Sequence, residues 1–399
     1  MIIIVSAVFP PEPVVTAMLS RDIAKELSKN NKVVVLSPPP TRPCGKKYLS
    51  LQEKKEKYEH IILDSYTCPE SKIIGRVRES YDFGKKVKAY IKENRKKISL
   101  VYANTWPLFS QKIISDVLFK YNIPLILHIQ DIYPESISKK IPLFGSIIEK
   151  IFLPIDKKIL SNSTRVITIS KKMKNYLVKT RGISSNKVDV IRNWQNDENF
   201  DRIKKDNKVK NKLFTFMYVG SINPTANVNL IINSFGELDL RNCQLLIAGD
   251  GPQKNDCIEI AKKYRDKKIS FISVEPNEVA KLQSSADVLI LSLKKGIAKT
   301  ALPSKLTAYM LSAKPILASI DLDSEVADII NKNNCGLICL PDNKIELQKQ
   351  MKLFQKKDFF DLQEMGDSSY IYAKQNLTKN INLHKLIDLI EYIKKEKNA

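Results

Sequence analysis

The stretch LSLKKGIAKTALPSKLTAYMLSAKP, residues 291–315, decides how the rest of the chain is read. Its pattern is strand, basic loop, helix, strand. The apolar run Val288, Leu289, Ile290 and Leu291 predicts a parallel strand buried on both faces. Lys294, Lys295 and Lys299 then fall in a loop, and Pro303 stands where a helix would begin, followed by Ser304, Lys305 and Leu306. Proline suits a first helical turn because the N–H it lacks would be unpaired there. A helix start carries free N–H groups and partial positive charge, to which nearby lysines add full charges. Such a turn suits a diphosphate. The same residues also fit an ordinary strand-to-helix connection with solvated lysines, so their place in the chain matters.

On either side of this stretch the same alternation repeats. Residues 213–219 predict a strand ending in Gly220 and Ser221, and 227–238 a helix. A strand over 244–248 runs into Gly249-Asp250-Gly251-Pro252, a tight turn opening a helix. A strand over 269–272 leads into Ser273, Val274 and Glu275, then a helix over 277–285. Strands at 315–319 and 337–340 follow, then a helical tail whose last apolar face is Leu383, Leu386, Ile387, Ile390 and Ile393. Asp321-Leu322-Asp323 follows a strand and reads as a loop, not a metal motif.

The first half has the same grammar. IIIVSAV at residues 2–8 is a strand, Phe9-Pro10-Pro11-Glu12-Pro13 a stiff loop, and 14–29 a helix with Met18, Leu19, Ile23, Ala24 and Leu27 on one face. A strand over 32–37 completes a Rossmann-type unit. Val14 and Val15 occupy the helix entry, so the glycine fingerprint of NAD binders is missing. After a Pro-rich and then Lys/Glu-rich excursion at 38–58, alternation resumes with strands at 61–63, 100–103, 125–129, 165–169 and 187–191. Helices are predicted at 76–96, 107–121, 144–160 and 171–179. His128, Asp131 and Glu135 cluster at the carboxyl end of the strand 125–129. Ligands of parallel sheets bind at such ends, so these three are candidates for acid–base chemistry or for holding sugar hydroxyls. The plainer reading has Asp131 capping a turn and His128 packed inside the strand.

Composition limits the alternatives. The chain has 399 residues, 43% hydrophobic and 27% charged, which predicts two or three folded domains. No apolar run approaches the ~20 residues a membrane span needs. The start lacks a basic leader pattern, and six scattered cysteines have no zinc-type spacing, so reduced thiols and a cytoplasmic location are expected. A net charge of +23 suits nucleic acid, an anionic membrane surface or anionic small substrates. No nucleic-acid-binding motif is present, so nucleic acid is not an expected partner. Peripheral contact with a membrane through the basic helices 76–96 and 144–158 is expected, although solvated faces explain the same lysines.

Six motifs in order resemble the GT-B fold, and specifically the family 4 retaining glycosyltransferases. They are the Phe9–Pro13 loop, 130–136 (QDIYPES), Asn193-Trp194, 218–221 (YVGS), 248–252 (AGDGP) and 303–306 (PSKL) leading to Tyr309-Met310 and Lys314-Pro315. The sequence looks most similar to bacterial enzymes of capsule and O-antigen synthesis, including N-acetyl-L-fucosamine transferases. The resemblance implies two Rossmann-like α/β domains facing a central cleft: an acceptor domain over 1–195, a linker over 196–212, a nucleotide-sugar domain over 213–375, and a C-terminal helix over 376–399 packing back on the first domain. It implies a UDP-sugar donor, held by Gly220, Ser221, Gly249, Gly251, Pro252, Val274, Pro303, Ser304, Lys305 and Leu306. Asp131, Glu135 and His128 are the implied catalytic residues. The implied acceptor is a saccharide linked to undecaprenyl diphosphate at the inner face of the cell membrane, and no metal or other cofactor is expected. The sequence departs from the family pattern at Thr300 and Ala308, where two glutamates are usual, at Asn223 and Thr225, near where an Arg/Lys pair is usual, and at Gln130, where a histidine is usual. A UDP-sugar 2-epimerase of the same fold and a non-catalytic partner subunit are the alternatives.

Overall fold

The computed structural model describes residues 1–41, 56–70, 72–104, 108–138, 145–195, 197–201, 213–275, 277–298 and 302–398. Lys299, Thr300, most of the 196–212 segment and much of the Pro-rich excursion lie outside the described residues. The chain forms two compact units, Met1–Arg192 with Leu383–Ala399, and Asn193–Asn382.

The first unit is built on β1 (Ile2–Val5), β2 (Val33–Ser37), β3 (Glu59–Ile62), β4 (Leu100–Asn104), β5 (Leu125–Ile129), β6 (Arg165–Thr168) and β7 (Val188–Val190). Their order is β3-β2-β1-β4-β5-β6-β7, and neighbours pair in parallel. β1, β2, β4 and β5 are buried at every position. Their apolar residues do not alternate with polar ones because helices cover both faces of the sheet.

Helix α1 (Val15–Leu27) buries Ala17, Leu19, Ser20, Ile23, Ala24 and Leu27, whereas Met18 is 46% exposed. At about 100° per residue, Met18 stands opposite that stripe. The sheet takes the small Ala17 and Ser20 against it instead, and the Ser20 hydroxyl bonds both Ser6 Oγ at 2.8 Å and the Thr16 carbonyl at 2.9 Å. From residue 383 the last helix, Lys379–Asn398, belongs to this unit. There Glu391 accepts from the Asn31 amide at 2.6 Å, and Lys394 donates to Asn31 Oδ1 at 2.6 Å.

The second unit contains β8 (Phe214–Val219), β9 (Cys243–Ala248), β10 (Ile269–Ile272), β11 (Val288–Ser292), β12 (Ile316–Ser319) and β13 (Gly336–Cys339), in the order β10-β9-β8-β11-β12-β13. This repeats the order of the first six strands of the other unit. Strand order therefore reverses at β1/β4 in one unit and at β8/β11 in the other, and these switch points are where doubly wound sheets receive ligands. Phe216, Tyr218, Ile231, Ile232, Leu245 and Ile290 belong to the apolar core beneath. Among the described residues no helix is long and apolar enough to cross a membrane.

Candidate functional site

In the second unit, the turns after β8 and β9 lock together. Gly220 N–H donates to the Ala248 carbonyl at 2.8 Å, Ile222 N–H to the Asp250 carbonyl at 2.8 Å, and Gln253 N–H to the Ile222 carbonyl at 3.1 Å. The backbones run so close that a Cβ on Gly249 would lie 2.0 Å from the Gly220 oxygen, and one on Gly251 would lie 2.3 Å from the Ile222 oxygen. Both glycines also hold positive φ, 141° and 153°. This leaves a surface of bare main chain at the switch point.

Lys305 closes that surface. It lies on the helix Ser304–Leu311, for which Pro303 is the N-cap. Its Nζ donates to Tyr218 Oη and to the Ser221 carbonyl at 3.3 Å, and sits 4.4 Å from the centre of the Tyr218 ring. Tyr218 donates its own proton to the Ser221 carbonyl at 2.6 Å, so its oxygen is the acceptor for the lysine. Burial holds the Tyr218 hydroxyl well above its ordinary pKa and keeps it protonated. A Cβ on Gly220 would sit 2.2 Å from Lys305 Cε, so the side chain crosses directly over the glycine. Tyr309, one helical turn on, fixes the helix to β8: its hydroxyl accepts from Val219 N–H and donates to the Val219 carbonyl, each at 2.9 Å.

Among the described residues no carboxylate lies in salt-bridge range of Lys305 Nζ. Burial alone lowers this lysine to about 8. A half-buried cation held by neutral oxygens and a ring face is a receptor for an anion.

The other expected donor-site residues are placed as follows. Ser221 contributes its carbonyl, Pro252 is exposed in the turn after β9, Val274 is half-buried after β10, and Ser304 is exposed at the helix start. Leu306 is fully buried in the core, so only its main chain is available to a ligand. Ala308 is also buried. Asn223 accepts from Thr225 N–H at 3.0 Å and Ala226 N–H at 3.1 Å, which makes it the cap of its own loop.

Sequence reasoning missed Asp321 and Asp342. The basic loop after β11 is gripped by them through its main chain: Gly296 N–H donates to both Asp321 oxygens at 2.9 and 2.8 Å, and Lys295 N–H to Asp342 Oδ2 at 3.0 Å. Asp321 follows β12, the neighbour of β11, and that adjacency was the available signal.

In the first unit, the carboxyl ends of β1, β4 and β5 carry a continuous buried polar network. Asn104 Nδ2 donates to the hydroxyls of Ser6 and Ser20, which leaves its Oδ1 as the acceptor for Tyr102 O–H at 3.0 Å. The Tyr102 oxygen then accepts from His128 Nδ1 at 2.7 Å. This chain fixes the histidine as the Nδ1–H tautomer, with Nε2 the acceptor nitrogen. Burial lowers His128 to about 4, so the ring is neutral.

Glu135 has a different environment. Its two oxygens accept from Arg181 at 2.7 Å each, and one also accepts from the Tyr176 hydroxyl at 2.7 Å. Arg181 Nε donates to Asp156 at 2.7 Å and Nη2 to the Tyr133 carbonyl at 2.8 Å. Burial pushes Glu135 upward, but the hydrogen bonds from Arg181 and Tyr176 outweigh it and hold the carboxyl below its ordinary value. Glu135 therefore anchors the loop after β5 to the helix Lys171–Arg181. Asp131 is the exposed carboxylate of the three and lines a small cavity with Gln111, Ile129 and Tyr133.

Comparison with known proteins covers both units. A model of glycosyl transferases group 1 matches residues 199–358, and one of glycosyltransferase family 4 matches residues 17–198. A protein from Pseudomonas aeruginosa named as the probable glycosyltransferase WbjE is 21% identical over 273 residues, 65% of this chain and 66%, just under two thirds, of its own length. The crystal structure of Anabaena Alr3699/HepE in complex with UDP superposes with a TM-score of 0.69 at 13% identity, covering 98% of this chain and 99% of that one. Sucrose-phosphate synthase from Thermosynechococcus elongatus superposes at 0.75, with 15% identity and coverage of 98% and 99%.

Proposed function

We infer, from the premise that the chain is a glycosyltransferase of the GT-B fold, that it moves a sugar from a UDP-sugar to a lipid-linked saccharide with retention of anomeric configuration. One observation carries the donor half of this reading: Lys305 is a half-buried cation with no carboxylate partner among the described residues, set over bare main chain at the β8/β11 switch point. UDP as the nucleotide is supported by Alr3699/HepE, a fold neighbour whose structure contains it.

In this account the departing diphosphate gains negative charge, and Lys305 with the main-chain N–H groups at the start of its helix stabilises it. Those groups are preorganised by Tyr218, Tyr309 and the interlocked glycine turns, so little reorganisation accompanies the reaction. Lys305 meets the charge requirement without a metal. Ala308 offers no acid to the ribose hydroxyls, which water or main chain would satisfy.

The acceptor is assigned to the first unit. Asp131 at the end of β5 holds an acceptor or sugar hydroxyl, while His128 and Glu135 act as positioning residues through the polar network and the Arg181 ion cluster. From the motif resemblance, an N-acetylated deoxyhexosamine such as L-FucNAc is the favoured donor sugar. The favoured acceptor is linked to undecaprenyl diphosphate, in capsule or O-antigen assembly at a membrane surface.

The test is release of UDP from a panel of UDP-sugars by purified protein, with lipid-linked saccharides extracted from bacterial membranes and NMR of the product's anomeric centre. Acceptor-dependent release with retained configuration is expected. Absence of release from every UDP-sugar would overturn the reading and favour a non-catalytic partner subunit, for which the alanine at 308 is the supporting observation.

A further inference from the structure

Beside Asp131, the first unit carries a small cavity with an unanswered polar group in its wall. Gln111 lies on the helix Leu108–Lys120 and is 4% exposed. Its Nε2 donates to the Asn104 carbonyl, at the end of β4, at 2.6 Å. A flipped amide would set two oxygens against each other there, so the orientation is fixed. The other end of the amide, Oε1, is buried and has no hydrogen-bond partner among the described residues. Native folds leave few such groups, and each calls for an explanation.

The cavity measures about 20 Å³. By the same measure one water needs about 10–15 Å³, so the space takes one methyl-sized group. Leu127, Ile129, Ile132 and Ile159 supply buried apolar wall. Tyr133 apart, the polar residues of the lining offer acceptors: the Gln111 amide oxygen and the carboxylates of Asp131 and Asp156, the last already accepting from Arg181 Nε at 2.7 Å. An occupant that satisfies this lining joins a hydrogen-bond donor to a compact apolar group. A water would answer Gln111 but gain nothing from the aliphatic wall. An anion would be repelled by the two carboxylates. An acetamido group meets both requirements along one edge. In a trans amide the carbonyl oxygen and the N–H point to opposite sides, so the methyl group lies on the same side as the N–H. The methyl then enters the cavity while the N–H meets Gln111 Oε1, and the carbonyl oxygen stays on the outer edge, away from the carboxylates.

We propose that this cavity is a subsite for the acetamido group of an N-acetylated acceptor sugar, with Gln111 as its specificity-determining residue. The proposal deepens, and rests on, the reading that the first unit receives the acceptor, with the exposed Asp131 holding a neighbouring hydroxyl.

The experiment is saturation-transfer NMR of the full-length protein with three methyl glycosides that differ at one ring carbon, bearing acetamido, hydroxyl or amino there. The acetamido glycoside is expected to bind roughly 10- to 200-fold more tightly than the hydroxyl one, the range for a methyl-sized group in a fitted pocket. Its methyl protons should receive the strongest saturation. Gln111→Leu, which keeps the volume and removes the acceptor, is expected to weaken the acetamido glycoside about 2- to 12-fold and leave the hydroxyl glycoside unchanged. Ile132→Phe, which fills the cavity from the loop after β5, is expected to abolish the preference. Urea unfolding checks the fold of each variant, and the parent's ranking of the three glycosides requires no variant at all. Equal binding of the acetamido and hydroxyl glycosides, preference for the amino glycoside, unsaturated methyl protons, or folded variants that rank the glycosides as the parent does would each overturn the subsite. Acceptor-dependent UDP release without an acetamido preference would overturn the subsite and leave the acceptor reading standing. An acetamido preference without release would uphold the subsite and count against transfer.

Discussion

The two units share a strand order yet treat buried charge in opposite ways. At the strand ends of the first unit, Arg181 is surrounded by Glu135 and Asp156, and the neighbouring Tyr102–His128 pair is neutral. At the strand ends of the second, the half-buried Lys305 lies against a phenol, a carbonyl and glycine main chain, with no acid in salt-bridge range among the described residues. The first arrangement is complete without a ligand and serves to hold loops. The second has an unmatched, partly desolvated charge, and such a charge is the better marker of a binding site.

The largest test breaks the balanced side. Arg181→Met leaves two buried carboxylates facing each other and is expected to cost roughly 3–5 kcal/mol in urea unfolding. The folded fraction should keep its UDP affinity. Equal loss of UDP binding would mean that the two ends are not doing separate jobs. Gly249→Ala attacks the main-chain surface of the other side. Its Cβ meets the Gly220 carbonyl, so about 2–4 kcal/mol of destabilisation is expected in the same assay. A neutral outcome would show that the turns are looser than the contact implies.

Lys305 also sets a pH dependence. Its folded pKa of about 8 lies below the ordinary 10.5, so between those values the unfolded chain binds more protons and stability rises with pH. A bound diphosphate reverses the preference by favouring the protonated lysine. UDP affinity should therefore fall by up to about tenfold per unit as pH climbs above 8, with proton uptake visible in buffers of different ionisation enthalpy. A flat profile would sink the charge argument. The smallest effect is expected from Tyr218→Phe, which removes one acceptor from Lys305 but keeps the ring beneath it. UDP binding should weaken by about 0.5–1.5 kcal/mol, measured by calorimetry.

The sequence made the architecture legible because buried parallel strands are unbroken apolar runs, as at Ile2–Val5 and Val288–Ser292. The turns at Gly249 and Pro303 were legible for a similar reason, since glycine and proline mark backbone constraints directly. Helix faces were read less well: Met18 points outward because Ala17 and Ser20 let α1 approach the sheet more closely. Long-range partners were the least legible. Nothing local to Glu135 announces Arg181, 46 residues away, and the grip of Asp321 on Gly296 was signalled only by the adjacency of β11 and β12. The exposed Ile74 of α2 (Ile73–Asn94) lay inside a helix whose lysines drew attention first, and only the burial of its other face separates the two.

The most direct test of the donor site is a calorimetric titration of the protein with UDP beside Lys305→Ala. Micromolar binding by the parent is expected, weakened roughly 10- to 150-fold in the variant, the range for a hydrogen bond to a charged group. Parent and variant binding UDP equally, or neither binding it, would contradict the claim that the unmatched lysine at the β8/β11 switch point is a diphosphate receptor.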